Sequence, residues 1–361
     1  QSQYVITIKV SDQVNETTAQ ITIAVTNVVD SLFEDPDAFI ITIDIPDGFN
    51  YHLPIRFEQF QYNFVIDWGD ESGEETLLDL NDFPTHVYVE GGTYSLAIKG
   101  DFPAYGSITN DVDESREALV DVVQWGNNVW EDLNNAFEGC SNLQAFSATG
   151  APDLTNVDSM IAIFRNASSF NGDIGNWVVS NVTNMSRMFN GATAFNQDIG
   201  GWDVSQVTNM LDMFNGATAF NRDIGDWVFP QVKDMSRMFN GATSFNQDIT
   251  GWNVSSVLNF EAMFDGAEAF NQDLGKWELG DIPASGNEAS AFSDIFNNSG
   301  MSSENYSNIL VGWADFEGTP DNMTFDAEGL KYFCDASAAR AILVNKGWTI
   351  IDDGSDPDVC P

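Results

Sequence analysis

The chain has 361 residues, which is long for a single ordinary domain. Its 55 Asp and Glu against 13 Lys and Arg give a formal net charge of −42, which disfavours nucleic acid and anionic lipid as partners and suits a salty medium or the holding of divalent cations. A content of 43% apolar and 12% aromatic residues is a folding composition, and no run reaches the ~18 apolar residues that a membrane span needs.

At the start, Tyr4, Ile6, Ile8 and Val10 alternate with polar residues, and Ile21, Ile23 and Val25 do the same beyond a polar turn. That pattern predicts two strands. An isolated hairpin is marginal in water, so the pair is expected to belong to a larger sandwich, and a first residue of Gln1 rather than Met fits a segment of something longer. With Val10-Ser11-Asp12 and Val25-Thr26-Asn27-Val28-Val29-Asp30, residues 1–31 resemble the last two strands of a cadherin-like domain. In that family, acidic linker residues bind Ca²⁺ between domains; its full acidic linker motif is absent here. Asp30, Glu34, Asp35 and Asp37 are the carboxylates at this interdomain junction, hard oxygen ligands of the kind Ca²⁺ takes.

Residues 36–112 carry four predicted strands, Phe39–Ile45, Phe64–Trp68, His86–Val89 and Tyr94–Ile98, with Gly, Pro and Asp clustered between them. The run Ile66-Asp67-Trp68-Gly69-Asp70, then His86-Val87-Tyr88 and Gly92-Thr93-Tyr94, resembles a PKD domain, an immunoglobulin-like sandwich that generally serves as a spacer. Glu71 stands where that family usually has glycine. Asp67, Asp70 and His86 could make a metal or acid–base site; the reading preferred here is that they fix turns and corner hydrogen bonds.

The dominant signal is a period. Trp177, Trp202, Trp227, Trp252 and Trp277 are 25 residues apart, and so are Phe164, Phe189, Phe214, Phe239 and Phe264, and Phe170, Phe195, Phe220, Phe245 and Phe270. In one copy the apolar positions Trp202, Val204 and Val207 fit a short strand and turn, and Met210–Ala217 has the 3–4 spacing of a short helix. One such unit buries too little to fold alone, whereas stacked neighbours share a continuous core. The copy beginning Trp202-Asp-Val-Ser-Gln-Val-Thr-Asn-Met resembles the 25-residue variety of the BspA-like leucine-rich-repeat surface proteins, and the likeness extends over about Val122–Trp313. The closing segment, from Gly329 to Ile350, resembles the unit often found after such repeats and reads as a helix and a strand that cap the stack.

Cysteine is scarce. Cys334–Cys360 is the expected disulfide, closing a loop that stabilises by roughly 3.5 kcal/mol in the chain-entropy model. Cys140 is then left over as a buried apolar residue.

Two columns are polar in every copy: Asn171, Asn196, Asn221, Asn246 and Asn271, and Asp173, Asp198, Asp223, Asp248 and Asp273. They could bind Ca²⁺ or a repetitive ligand. The preferred reading is structural, an asparagine ladder with each Asp accepting backbone N–H groups at a turn. The tryptophans are expected to pack inward. Positions that differ between copies are better contact candidates, and Arg187, Gln206, Arg222, Lys233, Arg237 and Lys276 fall there. His52 and His86 are the only histidines, no Cys/His metal spacing occurs, and no Gly-rich phosphate loop precedes a helix, so no enzyme is expected.

The sequence thus predicts a mainly β chain with short helices, in which immunoglobulin-like β-sandwich segments precede a leucine-rich-repeat-like solenoid at 115–315 and a cap at 316–361. The family resemblance implies an extracellular, bacterial cell-surface adhesin segment of a larger multidomain chain, binding proteins or glycans on another surface without entering the membrane. The alternative is a structural spacer of a surface filament that carries a more distal binding domain.

Overall fold

The computed structural model describes residues 2–11, 16–25, 31–78, 80–106, 113–280, 282–283 and 291–356. The chain is mainly β, with few short helices. Strands β1 (Ser2–Ser11) and β2 (Glu16–Val25) form an antiparallel pair in which Tyr4 faces Ile23 and Ile6 faces Ile21.

A five-stranded antiparallel sheet follows, in the order β6-β5-β8-β3-β9. Its members are β3 (Phe39–Ile45), β5 (Asn63–Asp67), β6 (Glu74–Leu78), β8 (Gly92–Asp101) and β9 (Leu119–Gln124). A separate pair, β4 (Phe49–His52) with β7 (Thr85–Tyr88), packs across the core. Alternation in β3 decides which side is buried. Phe39, Ile41 and Ile43 are inaccessible and face the main core, while Ile40 joins Ala38, Ala97, Leu32 and Phe33 on the opposite side. The four predicted strands are present to within a few residues at their ends, and β4 and β6 are additional. Strand β9, preceded by the short helix α1 (Asp113–Ala118), pairs with β3 although its sequence adjoins the repeats. A boundary at 112–115 therefore separates β9 from the sheet to which it hydrogen-bonds.

From Ser159 to Asn259, residues 25 apart lie side by side. Parallel bridges join Ser159 to Asn184, Asn184 to Asn209, Asn209 to Asp234 and Asp234 to Asn259. Phe189, Phe214 and Phe239 stack copy to copy with centroids 5.4 and 5.5 Å apart, and each also stacks on the second phenylalanine of its own copy at 3.9–4.0 Å. Offset stacking at such distances adds to the area buried. Met210–Ala217 is not a helix. Asp212 and Gly216 adopt left-handed φ values of 56° and 70°, which interrupt α-helical geometry four residues apart. Alternate N–H groups, those of Met210, Asp212, Phe214 and Gly216, donate to the next copy at 2.7–3.1 Å. Those of Met213, Asn215 and Ala217 donate three residues back within the turn. The 3–4 spacing is thus produced by tight turns that place an apolar side chain inward at each step.

Both ends of the stack are covered. At one end, Ala104 bridges Asp132, and Phe39, Phe102 and Trp130 pack as one aromatic group, so the buried cluster runs unbroken from the sheet into the repeats. At the other end lies helix α2 (Ser303–Asp315), which starts at Ser302, whose side chain accepts from Asn305 N–H. Its buried face is Tyr306, Ile309, Leu310 and Trp313. Beyond it, β10 (Thr324–Asp326) pairs in parallel with β11 (Thr349–Ile351), and α3 (Ser337–Asn345) packs on α2. Cys334 is disulfide-bonded, and Cys360 lies outside the described residues. Cys140 is a free, buried thiol pushed up to about 12 by burial.

Candidate functional site

The copies fix which side chains serve the stack and which face outward. The tryptophans of the column are buried, and four of them donate the indole N–H to a carbonyl of the preceding copy: Trp202 to Ile174, Trp227 to Ile199, Trp252 to Ile224 and Trp277 to Ile249, all at 3.1–3.2 Å. The asparagine column is a ladder in which the backbone N–H of each Asn donates to Oδ1 of the Asn before it, from Asn196 on Asn171 to Asn271 on Asn246, at 2.9–3.0 Å. Gln197, Gln247 and Gln272 add a side-chain amide to the same Oδ1 acceptors and to the backbone carbonyls of those residues. In the aspartate column Oδ1 accepts the N–H two residues on, at 2.9–3.0 Å in all five copies. For Asp248 the Thr250 hydroxyl and N–H hold the carboxyl below its ordinary value.

Helix α2 substitutes for a further copy. Ser302 N–H and the Asn305 amide bind Asn271 Oδ1, and the Trp313 indole donates to Leu274 O at 3.2 Å. These are the acceptors that a next Asn, Gln and Trp would take. An α-helix therefore terminates the ladder with no acceptor of this set left over.

The six variable residues divide. Arg187 and Arg237 converge on Asp212, with their Nε atoms 3.4 Å and 2.8 Å from its two oxygens, and Asn215 Nδ2 is a third donor at 3.1 Å. Asp212 is almost wholly buried, and this hydrogen bond is the main reason the Arg237 guanidinium is raised. All three residues occupy one left-handed position in successive copies, with φ of 53–58°. Sequence reasoning missed Asp212, although its place between two arginines in the same column was visible. Arg222 Nε donates to Asn196 O at 2.7 Å, standing in for the glutamines of its column. Lys233 Nζ reaches Ser256 O at 3.1 Å. Gln206 and Lys276 are exposed. These contacts do not bring the six together. The large apolar side chains exposed on the five periodic copies are Val178 and Val228, two copies apart with Asp203 in the intervening place.

At the N-terminal junction, Asp35 is buried, accepts from Asp37 N–H at 2.9 Å and pairs with the Lys99 ammonium, which also lies 3.8 Å from Asp37. The Lys99 hydrogen bond is the main cause that lowers the Asp35 carboxyl. Glu34 is exposed, and Asp30 lies outside the described residues. Among the described residues no group of three or more His, Cys, Asp or Glu is placed to hold a metal ion.

In the sheet domain, Asp67 accepts from Gly69 N–H and Asp70 from Ser72 N–H. His86 Nε2 lies 2.7 Å from Asp70 Oδ2, and its ring stacks on Trp68 at 5.0 Å. Burial works to raise Asp70, but hydrogen bonds from Ser72 and His86 outweigh it and leave the carboxyl lowered. The three residues hold two turns and one strand end together.

No helix among the described residues is long and apolar enough to cross a membrane. No curated protein and no solved structure matches the chain. Residues 131–243 and 201–308, which cover the periodic copies, match a family described as Mycoplasma protein of unknown function, DUF285.

Proposed function

We propose that this chain is the extracellular, cell-surface segment of a larger multidomain adhesin, and that it binds a protein or glycan on another surface without catalysis. In this reading the 25-residue copies form a leucine-rich-repeat-like solenoid, and the preceding β domain is an immunoglobulin-like, PKD-type spacer. The observation that carries it is the division of labour within each copy. Trp, Asn, Asp and Phe columns are consumed by contacts between copies, whereas outward positions change from copy to copy. Repeat arrays that keep an internal frame and vary one face use that face for contact. Gln206, Arg222, Lys233 and Lys276 supply polar contacts, and Arg187 and Arg237 present guanidinium edges that Asp212 orients.

A second reading, the structural spacer of a surface filament, is favoured by the interruption of exposed valines by Asp203, because large apolar patches commonly mark docking faces. An array of immobilised extracellular proteins and oligosaccharides probed with the full chain separates the two. The adhesin reading expects saturable binding that Arg222→Ala with Lys233→Ala weakens. Absence of binding across the array, with the chain folded, would leave the spacer.

A further inference from the structure

We propose that Arg340 closes the last open rung of the chain's parallel ladder and so keeps two copies of this chain from joining edge to edge. The ladder runs from the repeats into the C-terminal segment: Phe260 N–H donates to Ala291 O at 2.9 Å, Phe292 bridges Phe325, and Phe325 pairs with Ile350. Strand β11 ends it, because β10 is the only other strand of its sheet. An outer strand of this kind is a ready template for pairing with another chain.

Two bonds fix the direction of the backbone groups on β11. Thr349 N–H donates to Met323 O and Ile351 O accepts from Ala327 N–H, both at 2.8 Å. Residues 349 and 351 therefore face β10, and alternation along the strand turns the N–H and C=O of Ile350 to the open side. There Arg340 Nη2 donates to Ile350 O at 3.1 Å. The guanidinium is held from behind: Nε and Nη2 donate to the two oxygens of Asp352 at 2.9 and 3.0 Å, and the Tyr306 hydroxyl of α2 donates to the same carboxylate at 2.8 Å. The Asp352 side chain is 1% exposed and that of Arg340 25%. An exposed ion pair swings free at little cost, whereas a head anchored on a buried carboxylate stays where an incoming strand would have to lie.

The partner excluded is a second copy. Thr349-Ile350-Ile351 is uncharged and β-branched throughout, in a chain of net charge −42, so it is the kind of segment that suits its own mate. Thr349 and Ile351 are exposed, Ile351 by 45%, and offer side chains beside the open backbone groups. About a two-fold axis two β11 strands would pair antiparallel, with Ile350 using its N–H and C=O on the partner. Arg340 opposes this twice. It already donates to the carbonyl that the mate would use, and the two copies would bring their guanidinium groups together.

The test is sedimentation velocity on the full chain at about 1 M salt, where a Debye length of about 3 Å removes the general repulsion between acidic chains. The wild type is expected to sediment as one chain across a dilution series. Arg340→Leu combined with Asp352→Asn takes away the block without leaving a buried charge unpaired, and is expected to double the sedimenting mass. Ile351→Lys added to that pair places a charge on the edge and should restore the single chain. Amide hydrogen exchange on the wild type needs no variant and stands if the double variant fails to fold: the Ile350 amide, on the open side, should exchange about tenfold or more faster than that of Thr349, which is bonded to Met323 O. The proposal is overturned if the wild type itself pairs, if the folded double variant stays a single chain, if its association survives Ile351→Lys, or if Ile350 is protected as strongly as Thr349.

Discussion

Replacing Trp227 with phenylalanine tests the indole ladder at its centre. The side chain is 4% exposed, and its Nε1–H donates to Ile199 O at 3.2 Å. That carbonyl also accepts from Trp202 N–H at 3.1 Å, so the substitution leaves it with one partner rather than none. The lost hydrogen bond then costs about 0.5–1.5 kcal/mol, without the full penalty of an orphaned acceptor. Truncating indole to phenyl in a packed interior adds about 1–2 kcal/mol. The sum, about 1.5–3.5 kcal/mol, corresponds to a drop of about 3–14 °C in melting temperature for a cooperative unit of this size. Trp313→Phe is the matching experiment in helix α2, because Trp313 makes the equivalent bond to Leu274 O. If α2 replaces a copy, the two variants lose similar stability in thermal and urea unfolding. A loss below about 0.5 kcal/mol at either position would refute the ladder as a source of stability.

Four further outcomes follow from the same contacts. Asn221→Ala removes the acceptor for Asn246 N–H and the Gln247 amide and is expected to cost about 1–3 kcal/mol, read by urea titration. Asp212→Ala leaves Arg187 and Arg237 without their shared carboxylate; a loss of about 1–3 kcal/mol is expected, and Arg187→Ala added to it should cost little more, a non-additivity seen in a double-mutant cycle. Asp248 has a folded value below its ordinary 3.8, so its stabilisation is fully present above that value and is lost as pH falls through the lower, folded value. The gap in melting temperature between wild type and Asp248→Asn, under about 1 kcal/mol at neutral pH for so exposed a group, is therefore expected to close on acidification below 3.8. Ca²⁺ against chelator is expected to leave the melting of the repeats unchanged, since each column Asp already accepts its own turn's N–H; a large rise would show that the column binds the metal.

The sequence made much of this architecture legible because burial imposes periods. Phe39, Ile41 and Ile43 alternate, so β3 could be read; Glu74-Glu75-Thr76 in β6 could not, because an exposed edge strand has no apolar side to mark it. The 25-residue spacing set which residues would be neighbours, and the Asn, Asp and Trp columns have the structural contacts expected of them. The backbone of Met210–Ala217 was misread because turns at Asp212 and Gly216 give the same apolar spacing as a helix. Helix α2 went unseen because the likeness to the repeats was carried as far as Trp313, whose indole does make a repeat tryptophan's bond. Of the six variable contact residues, Arg187 and Arg237 are tied to Asp212, a pairing that charge alternation in their shared column could have revealed.

If the copies are interchangeable units of one stack, each keeps the same frame and presents a different outer face. Removing residues 203–227 deletes one full period, joins Trp202 to Val228 and preserves every column, so Trp252 Nε1 meets Ile199 O in place of Ile224 O. Removing residues 203–214 deletes about half a period and puts every later column out of register. Near-ultraviolet circular dichroism with thermal unfolding distinguishes the outcomes. One sharp transition and an ordered aromatic signal are expected for the full-period deletion, and loss of both for the half-period deletion. Equal tolerance of the two deletions, or equal collapse, would contradict it.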